Sequence, residues 1–316
     1  MTEIRGLHHV TAISGDAQQN LDFYTGVLGM RLVKRSVNQD APHTYHLFYA
    51  DAAGTPGTDL TFFPWPDMPS ASPGHGLAVE VSLAVPARTL EWWAERLSRM
   101  RVEAAPIATR FGERVLAFRD PHGMPVILAE TADAREFTPW SRSPVDTGRQ
   151  IVGLHGVRLR ERELAPSAGF LEATLGFTRA GEEDGWVRFA IGGGGSGRHL
   201  DLREAPSDTR GRWGRGSIHH VAWRVDDEAA ERTLRGTLQA TGRRPTDVID
   251  RFWFRSVYFL EPGGVLFELA TDGPGFAVDE SPDALGESLV LPPWLEPQRR
   301  AIEARLPVLE WRTLDA

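Results

Sequence analysis

The sequence predicts an α+β protein built from four βαβββ modules, and three observations predict this fold class. A strand-like phrase recurs as GLHHV at residues 6–10, GLHGV at 153–157 and SIHHV at 217–221, with a weaker copy at 77–85. A helix-like stretch follows each copy of the phrase. Short segments rich in valine, phenylalanine, tyrosine and leucine come after each helix, and this composition is typical of strands.

The helices are predicted at residues 17–28, 87–100, 167–175 and 227–241. A glycine directly follows three of them, and glycine just past the last periodic residue marks a helix end. The later strands are predicted at 45–49, 59–63, 114–118, 126–129, 186–191, 200–203, 256–260 and 265–270. Glycine-containing turns at 120–123 and 261–264 lie in matching places. The glycine-rich run at 192–197 is interpreted as a flexible loop without a function.

The length of 316 residues suits about two domains. Residues 137–150 contain prolines, a glycine and scattered polar residues, which indicate a linker. We therefore predict one domain at 1–148, with modules 1 and 2, and a second at 149–316, with modules 3 and 4 and a C-terminal tail. The tail is predicted to contain an amphipathic helix at 296–305, and we interpret it as a packing or homo-oligomer surface.

Composition excludes several classes of function. Thirty-five Lys and Arg against 43 Asp and Glu give a net charge of −8, without a basic stripe, so nucleic acid and membrane are not expected partners. The absence of cysteine excludes disulfides, thiolate metal sites and cysteine nucleophiles. Any metal must then be held by His, Asp or Glu, ligands that suit iron(II), manganese, zinc or nickel. The N-terminal residues lack the pattern of a secretory signal, so a cytoplasmic location is the default expectation.

The alternation of side chains along a strand selects candidate metal ligands. Aligning the three clear phrases on their valines places His9 and His220 at one position, where module 3 has Gly156. His8 and His219 have the opposite phase. At the last strand of each module, aligning the preceding glycines places Glu268 level with the following residues: Thr61, Ile127 and Asp201.

His9, His220 and Glu268 therefore form a predicted set of two histidines and one carboxylate. Such a set leaves about three coordination positions open, which favours catalysis over a structural role. A glutamate in an otherwise apolar strand also needs a partner, because a buried unpaired carboxylate is costly. The phase of His155 argues against it as a ligand, and Asp201 has no inward histidine nearby. His43, His46 and His75 are expected in or near loops, with ordinary structural roles.

Five phrases, at residues 6–11, 28–34, 45–58, 109–112 and 289–293, span almost the whole chain. Together they resemble the vicinal oxygen chelate superfamily of glyoxalases, bleomycin resistance proteins and extradiol dioxygenases. Within this superfamily they are most similar to four-module ring-cleaving dioxygenases that act on hydroquinones. The resemblance implies curved mixed sheets around a metal cavity and Fe(II) between the first and fourth modules. It also implies cleavage of a small aromatic substrate with O₂.

The resemblance also implies roles for further residues. Arg251 and Tyr258 correspond to a pocket arginine and tyrosine, and His8, Thr11 and His219 to groups that contact the ligands or the substrate. A phenol or imidazole can hydrogen-bond a substrate hydroxyl, and a guanidinium can stabilise developing oxyanion charge. No nucleotide or dinucleotide fingerprint is present, so the metal is the one cofactor expected.

Two alternatives remain open at this point. A glyoxalase-like lyase or isomerase would use zinc, nickel or manganese, and such enzymes commonly have a second glutamate as a fourth ligand. Thr61 stands at that position and counts against it. A non-catalytic small-molecule binding protein of the same fold is the other alternative. Because first-row ions compete for such sites, zinc, manganese or nickel can replace iron in a preparation.

Overall fold

The computed structural model describes residues 4–312, which form four βαβββ modules as the sequence predicts. Module 1 contains β1 (Leu7–Ser14), α1 (Ala17–Leu21), β2 (Arg31–Asn38), β3 (Ala41–Ala50) and β4 (Asp59–Pro64). Module 2 contains β5 (Leu77–Pro86), α2 (Leu90–Arg99), β6 (Ala108–Arg110), β7 (Glu113–Arg119) and β8 (Pro125–Thr131). Module 3 contains β9 (Gly153–Glu161), α3 (Leu164–Leu175), β10 (Thr178–Glu183), β11 (Trp186–Ala190) and β12 (His199–Glu204). Module 4 contains β13 (Ser217–Val225), α4 (Glu228–Ala240), β14 (Ile249–Asp250), β15 (Arg255–Leu260) and β16 (Leu266–Thr271).

The strands form two mixed eight-stranded sheets, each curled into a half-barrel. The first sheet joins modules 1 and 4 in the order β14-β15-β16-β13-β1-β4-β3-β2. The second sheet joins modules 2 and 3 in the order β10-β11-β12-β9-β5-β8-β7-β6. At the centre of the first sheet β1 pairs antiparallel with β13, and each has a parallel neighbour from its own module. Each sheet thus combines one module from before the predicted domain boundary near residue 148 with one module from after it. The boundary itself stays a prediction.

Local sequence explains most of the elements. Asp16 caps α1 by accepting from the Gln19 amide, and the helix continues as a π-helical segment, Asp22–Val27. Gly176 ends α3 with a left-handed φ of 76°, as the stop signal predicts. The predicted tail helix is shorter than expected: α5 (Arg299–Glu303) follows a 3₁₀ turn that contains Pro297. In the described residues 4–312, none of the helices has both the length and the apolar character to cross a bilayer.

Bulges break the side-chain alternation of the central strands at three histidines. Pairing between β1 and β13 skips His8 on one strand and His219 on the other. Pairing between β5 and β9 skips His155. At a bulge two residues oppose one on the partner strand, so a side chain is turned away from the face that strict alternation assigns to it. Strict alternation of side chains between the two faces of a strand therefore does not hold at these three histidines.

Glu161, at the end of β9, is a buried carboxylate without a hydrogen-bond partner for either oxygen. It packs against the predicted turn at 261–264, where a Cβ on Gly263 would lie 1.5 Å from Glu161 Oε2. Only glycine allows this approach. Burial, together with the charge of Glu261, raises the pKa of Glu161 to about 9.

This raised pKa predicts a pH-dependent stability. Between the unfolded pKa near 4.5 and the folded value near 9, the folded chain binds the proton more tightly, so stability falls as pH rises. Glu161→Gln removes the titration and is expected to raise the free energy of unfolding at pH 8.5 by on the order of 2 kcal/mol, with little effect near pH 4.5. Urea unfolding at both pH values, with exposed Glu163→Gln as the control, measures the effect. An equal effect at the two pH values would contradict the assignment.

Candidate metal centre

His9, His220 and Glu268 meet at the middle of the first sheet, on the neighbouring strands β1, β13 and β16. Nε2 of His9 lies 3.3 Å from Nε2 of His220 and 3.2 Å from Oε2 of Glu268. Nε2 of His220 lies 2.9 Å from the same carboxylate oxygen. All three side chains are buried. We call this group the first-sheet centre.

The bulges bring a second histidine behind each of the two histidines of the first-sheet centre. Nδ1 of His9 lies 2.9 Å from Nδ1 of His8, and Nδ1 of His220 lies 2.8 Å from Nδ1 of His219. Nε2 of His8 lies 3.2 Å from the Thr271 carbonyl oxygen, which can only accept. His8 therefore donates from Nε2 and accepts at Nδ1, so His9 carries its proton on Nδ1. Nε2 of His9, which faces Glu268, is therefore the nitrogen available to a metal.

The electrostatics of the first-sheet centre favour a bound cation. Burial raises the pKa of Glu268, but the histidines His9 and His220 outweigh it and hold the pKa well below its usual value. Ser256 Oγ donates to Glu268 Oε1 at 2.5 Å, whereas Oε2 is buried without a hydrogen bond of acceptable geometry. Burial lowers the pKa of His220, so its imidazole is neutral at neutral pH. A buried anionic oxygen facing two imidazole nitrogens fits a divalent metal ion.

An aromatic cavity opens over the first-sheet centre. Its apolar walls include Phe48, Phe63, Trp253 and Phe254. Phe254 lies 5.3 Å from the His9 ring, measured between centroids. The preceding Phe252 has a φ of +76°, a conformation that is costly for a non-glycine residue and that often occurs at functional sites. The cavity therefore offers planar apolar surface beside the three converging ligand atoms.

Arg251 and Tyr258 both line this cavity. The Arg251 guanidinium donates to Asp40 Oδ2 at 2.9 Å and lies 5.4 Å from the centre of the Tyr258 ring. The Tyr258 ring lies 5.6 Å from that of His220. Burial and the charge of Glu268 raise the pKa of Tyr258, so the phenol keeps its proton at neutral pH. The pair thus presents one cation and one O–H donor near the first-sheet centre.

His8, Thr11 and His219, the other predicted site residues, lie around the first-sheet centre in different ways. Burial lowers the pKa of both His8 and His219 to about 3, so both imidazoles are neutral. His219 is half-buried and stacks on Trp213 with 4.4 Å between ring centroids. Thr11 is fully buried, and its Oγ1 lies 2.8 Å from Oγ1 of Thr61.

Sequence reasoning missed His46 as a cavity residue. It was expected in or near a loop, but it lies within β3 and lines the cavity, where its ring centroid lies 3.8 Å from that of Phe48. Its Nε2 lies 2.9 Å from Oγ1 of Thr61, so a chain of hydrogen bonds links His46 through Thr61 to Thr11. Burial lowers its pKa well below the usual value, so the imidazole is neutral. The predicted strand at 45–49 contains His46, and this placement was the feature of the sequence that argued against a loop.

Comparison with known proteins identifies the family. A model described as Glyoxalase/Bleomycin resistance protein/Dioxygenase superfamily matches residues 6–128 and 153–269. The chain belongs to this superfamily. Among superfamily members, the protein named ring-cleaving dioxygenase MhqO of Bacillus subtilis is 40% identical over 310 residues, covering 98% of each chain. The chlorohydroquinone/hydroquinone 1,2-dioxygenase of Sphingobium indicum is 33% identical over 301 residues, covering 93% of each chain.

Solved structures of the superfamily agree with the fold. A crystal structure of a Bacillus subtilis protein described as a dioxygenase matches with a TM-score of 0.94 and 39% identity, and covers 99% of this chain and 100% of that one. Maize glyoxalase I, in a V278E mutant, matches with a TM-score of 0.63 and 17% identity, and covers 84% of this chain and 92% of that one. The maize likeness concerns the fold alone.

The histidine behind His9 gives a testable prediction. His8→Phe keeps an aromatic ring beside Phe254 but removes the acceptor for the His9 Nδ1 proton. We expect Zn²⁺ affinity of the first-sheet centre to fall about 10-fold to 100-fold, because the partner of a ligating imidazole fixes its tautomer and orientation. Competition with a chromophoric chelator measures the affinity, with His43→Phe, at an exposed histidine of β3, as the control. Equal affinities in the two variants would contradict the role of His8.

Proposed function

We propose that this protein is an iron(II)-dependent dioxygenase that opens a hydroquinone-type aromatic ring with O₂. The convergence of His9, His220 and Glu268 under an aromatic cavity supports the proposal most strongly. A facial set of two histidines and one carboxylate with open positions is typical of non-haem iron(II) oxygenases. The names of the relatives, which include a hydroquinone 1,2-dioxygenase, support the substrate class.

His9, His220 and Glu268 would hold the iron. Iron(II), when bound, supplies the electron-transfer route that an arene and ground-state O₂ lack. Glu268 contributes the one negative charge among the ligands, and the hydrogen bond from Ser256 fixes its second oxygen. His8 holds His9 in the tautomer that leaves Nε2 free.

The cavity would bind and orient the ring. The faces of Phe48, Trp253 and Phe254 offer stacking and edge contacts to a planar arene and exclude water from it. The Tyr258 phenol, which keeps its proton, can donate to a substrate hydroxyl oxygen. Arg251 stays cationic and stabilises negative charge that develops on the substrate oxygens.

A buried chain of hydrogen bonds leads from the cavity into the sheet. The neutral imidazole of His46 lines the cavity and is bonded through Thr61 to Thr11. A neutral imidazole at this place can accept a hydrogen bond from a phenolic hydroxyl. Thr61 is thus engaged in hydrogen bonds to His46 and Thr11. The glyoxalase-like alternative would need a fourth metal ligand at this position.

Oxygen consumption tests the proposal. Metal-free protein is reconstituted anaerobically with Fe²⁺ and mixed with hydroquinone, methylhydroquinone or catechol in an oxygen electrode. We expect one O₂ consumed per hydroquinone or methylhydroquinone and slower uptake with catechol. The metal-free protein is the blank, and His43→Ala, at an exposed position, is the matched control variant. Bound iron without oxygen uptake on any of the three would overturn the proposal in favour of a lyase, an isomerase or a binding protein.

A further inference from the structure

The second sheet contains another cluster of residue types that bind metals. His155 lies on β9, His199 on β12 and Glu113 on β7. One ligand atom from each lies within 4.8 Å of the other two. Both histidines are buried, and Glu113 is partly buried with 29% of its side chain exposed. We call this group the second-sheet cluster.

Both imidazoles are held by their Nδ1 atoms, which leaves Nε2 for another partner. Nδ1 of His199 lies 3.2 Å from the Gly195 carbonyl oxygen, which can only accept, so this nitrogen carries the proton and Nε2 carries the lone pair. Nδ1 of His155 lies 3.0 Å from Ser196 Oγ. Nε2 of His155 is buried and makes no hydrogen bond. It lies 3.1 Å from Glu113 Oε1.

The backbone makes room for this arrangement. Gly156 occupies the position at which β1 and β13 carry His9 and His220. A Cβ at Gly156 would lie 2.4 Å from Nε2 of His199, so only glycine leaves space for this ring. The second sheet thus lacks a histidine at that strand position and fills the space with one from the neighbouring strand. The bulge at His155 turns the other imidazole toward Glu113.

The carboxylate of Glu113 is held from its other side. Its Oε2 accepts from Arg188 Nη1 at 2.7 Å, which directs Oε1 toward the imidazoles. Arg188 also donates to Asp201 Oδ1 at 2.8 Å. The two further arginines near the cluster are paired as well, Arg158 with Asp201 at 3.1 Å and Arg110 with Glu80 at 2.8 Å. Outside the ligand set, two carboxylates, Asp201 and Glu80, face these three arginines, so the surroundings of the cluster keep a net positive charge.

The glycine-rich run at 192–197, for which the sequence suggested no function, supplies both Nδ1 partners. Ser196 is fixed in turn, because its amide donates to Asp133 Oδ2 at 2.6 Å and its hydroxyl accepts from Arg135 Nη1 at 2.7 Å. Such outer partners orient the imidazoles in metal sites.

From these contacts we propose that His155, His199 and Glu113 bind a divalent transition-metal ion of the Zn²⁺ type, in a second site separate from the first-sheet centre. Two imidazole nitrogens and one carboxylate oxygen are ligands that Zn²⁺ prefers. The ion gives the unpaired Nε2 atoms a partner and links β7, β9 and β12 to the 192–197 loop. The nearby arginines repel a cation, so this site binds more weakly than the first-sheet centre and fills second. The inference does not rest on the proposed function.

Metal stoichiometry tests the proposal. Metal-free protein is titrated with Zn²⁺ against a chromophoric chelator, and the bound metal is measured after gel filtration. We expect two equivalents in the wild type, one in Glu268→Ala, one in His199→Gln and none in the double variant. His43→Gln serves as the histidine control and is expected to bind two. One equivalent in the wild type and none in Glu268→Ala would overturn the second site.

Thermal unfolding provides a second readout that does not depend on stoichiometry. Zn²⁺ is expected to raise the Tm of Glu268→Ala, which keeps the second-sheet cluster intact, and to leave the Tm of Glu268→Ala/His199→Gln unchanged. His9→Gln replaces Glu268→Ala in both experiments if that variant does not fold. Equal Tm shifts with and without His199 would contradict binding at this cluster.

Discussion

Glu268→Ala is expected to lose metal and oxygen consumption together. Glu268 is the one anionic member of the first-sheet centre, and two imidazoles alone bind a divalent ion weakly. We expect the affinity of this centre for Fe²⁺ to fall by more than about 100-fold, since even partners behind the ligands are worth 10-fold to 100-fold. Oxygen uptake with hydroquinone is expected to fall below detection. Metal analysis and the oxygen electrode measure both losses, with exposed Glu163→Ala as the control.

The same substitution is also expected to lower the stability of the metal-free protein. Glu268 is fully buried, and His9 and His220 hold its pKa well below the usual value. A carboxyl group whose pKa is lower in the folded chain stabilises the fold at neutral pH, and the substitution removes this contribution and leaves a cavity. We expect metal-free Glu268→Ala to unfold at a lower Tm than the metal-free wild type. Retained Fe²⁺ and retained oxygen uptake in Glu268→Ala would show that the metal lies elsewhere.

Lys34→Met is expected to have the largest effect on stability. Lys34 is fully buried on β2, and its ammonium donates to Asp279 Oδ1 at 2.7 Å, to Glu280 and to the Phe276 carbonyl oxygen at 3.0 Å. Methionine leaves two largely buried carboxylates without their cation. Breaking a buried ion pair from one side typically costs about 3–5 kcal/mol, and we expect a loss of that size in the free energy of unfolding.

Urea unfolding measures this loss, with Arg35→Met at the next position as the control. Arg35 donates to an exposed carbonyl oxygen and is expected to matter by less than about 1 kcal/mol. The double variant Lys34→Met/Glu280→Gln removes one of the two carboxylates left without a cation. It is expected to recover part of the lost free energy of unfolding. Asp279 also accepts from Trp253 Nε1 at 3.0 Å, and Trp253 forms part of the cavity wall. Loss of the Lys34 ion pair is expected to loosen this wall and to raise the KM of Lys34→Met for the aromatic substrate. A loss below 1 kcal/mol in Lys34→Met would contradict the account.

The sequence predicted the strands and the convergence of the first-sheet centre because both depend on local patterns. Alternation along each strand and the aligned glycines place His9, His220 and Glu268 at comparable positions, and the structure brings the three together. Which modules share a sheet could not be derived in this way, because the pairing of β1 with β13 joins residues about two hundred positions apart. The resemblance to known proteins supplied the expectation of a site between modules 1 and 4.

Alternation failed at the bulges. Strict phase turned His8 and His219 away from the ligands and excluded His155, yet each lies next to another ligand-type side chain in the structure. A bulge depends on the pairing with the partner strand, and one strand's sequence does not reveal it. The second strands of the modules were also not located. The sequence of β10, for example, is polar because it forms a mostly exposed edge.

The fate of the oxygen atoms tests the central claim most directly. Iron-loaded protein is mixed with hydroquinone under ¹⁸O₂, quenched with borohydride so that an aldehyde oxygen does not exchange with water, and analysed by mass spectrometry. The account predicts a ring-opened product that carries both ¹⁸O atoms. Unlabelled benzoquinone as the product would show that the protein oxidises hydroquinone without inserting oxygen, and would contradict ring cleavage at the first-sheet centre.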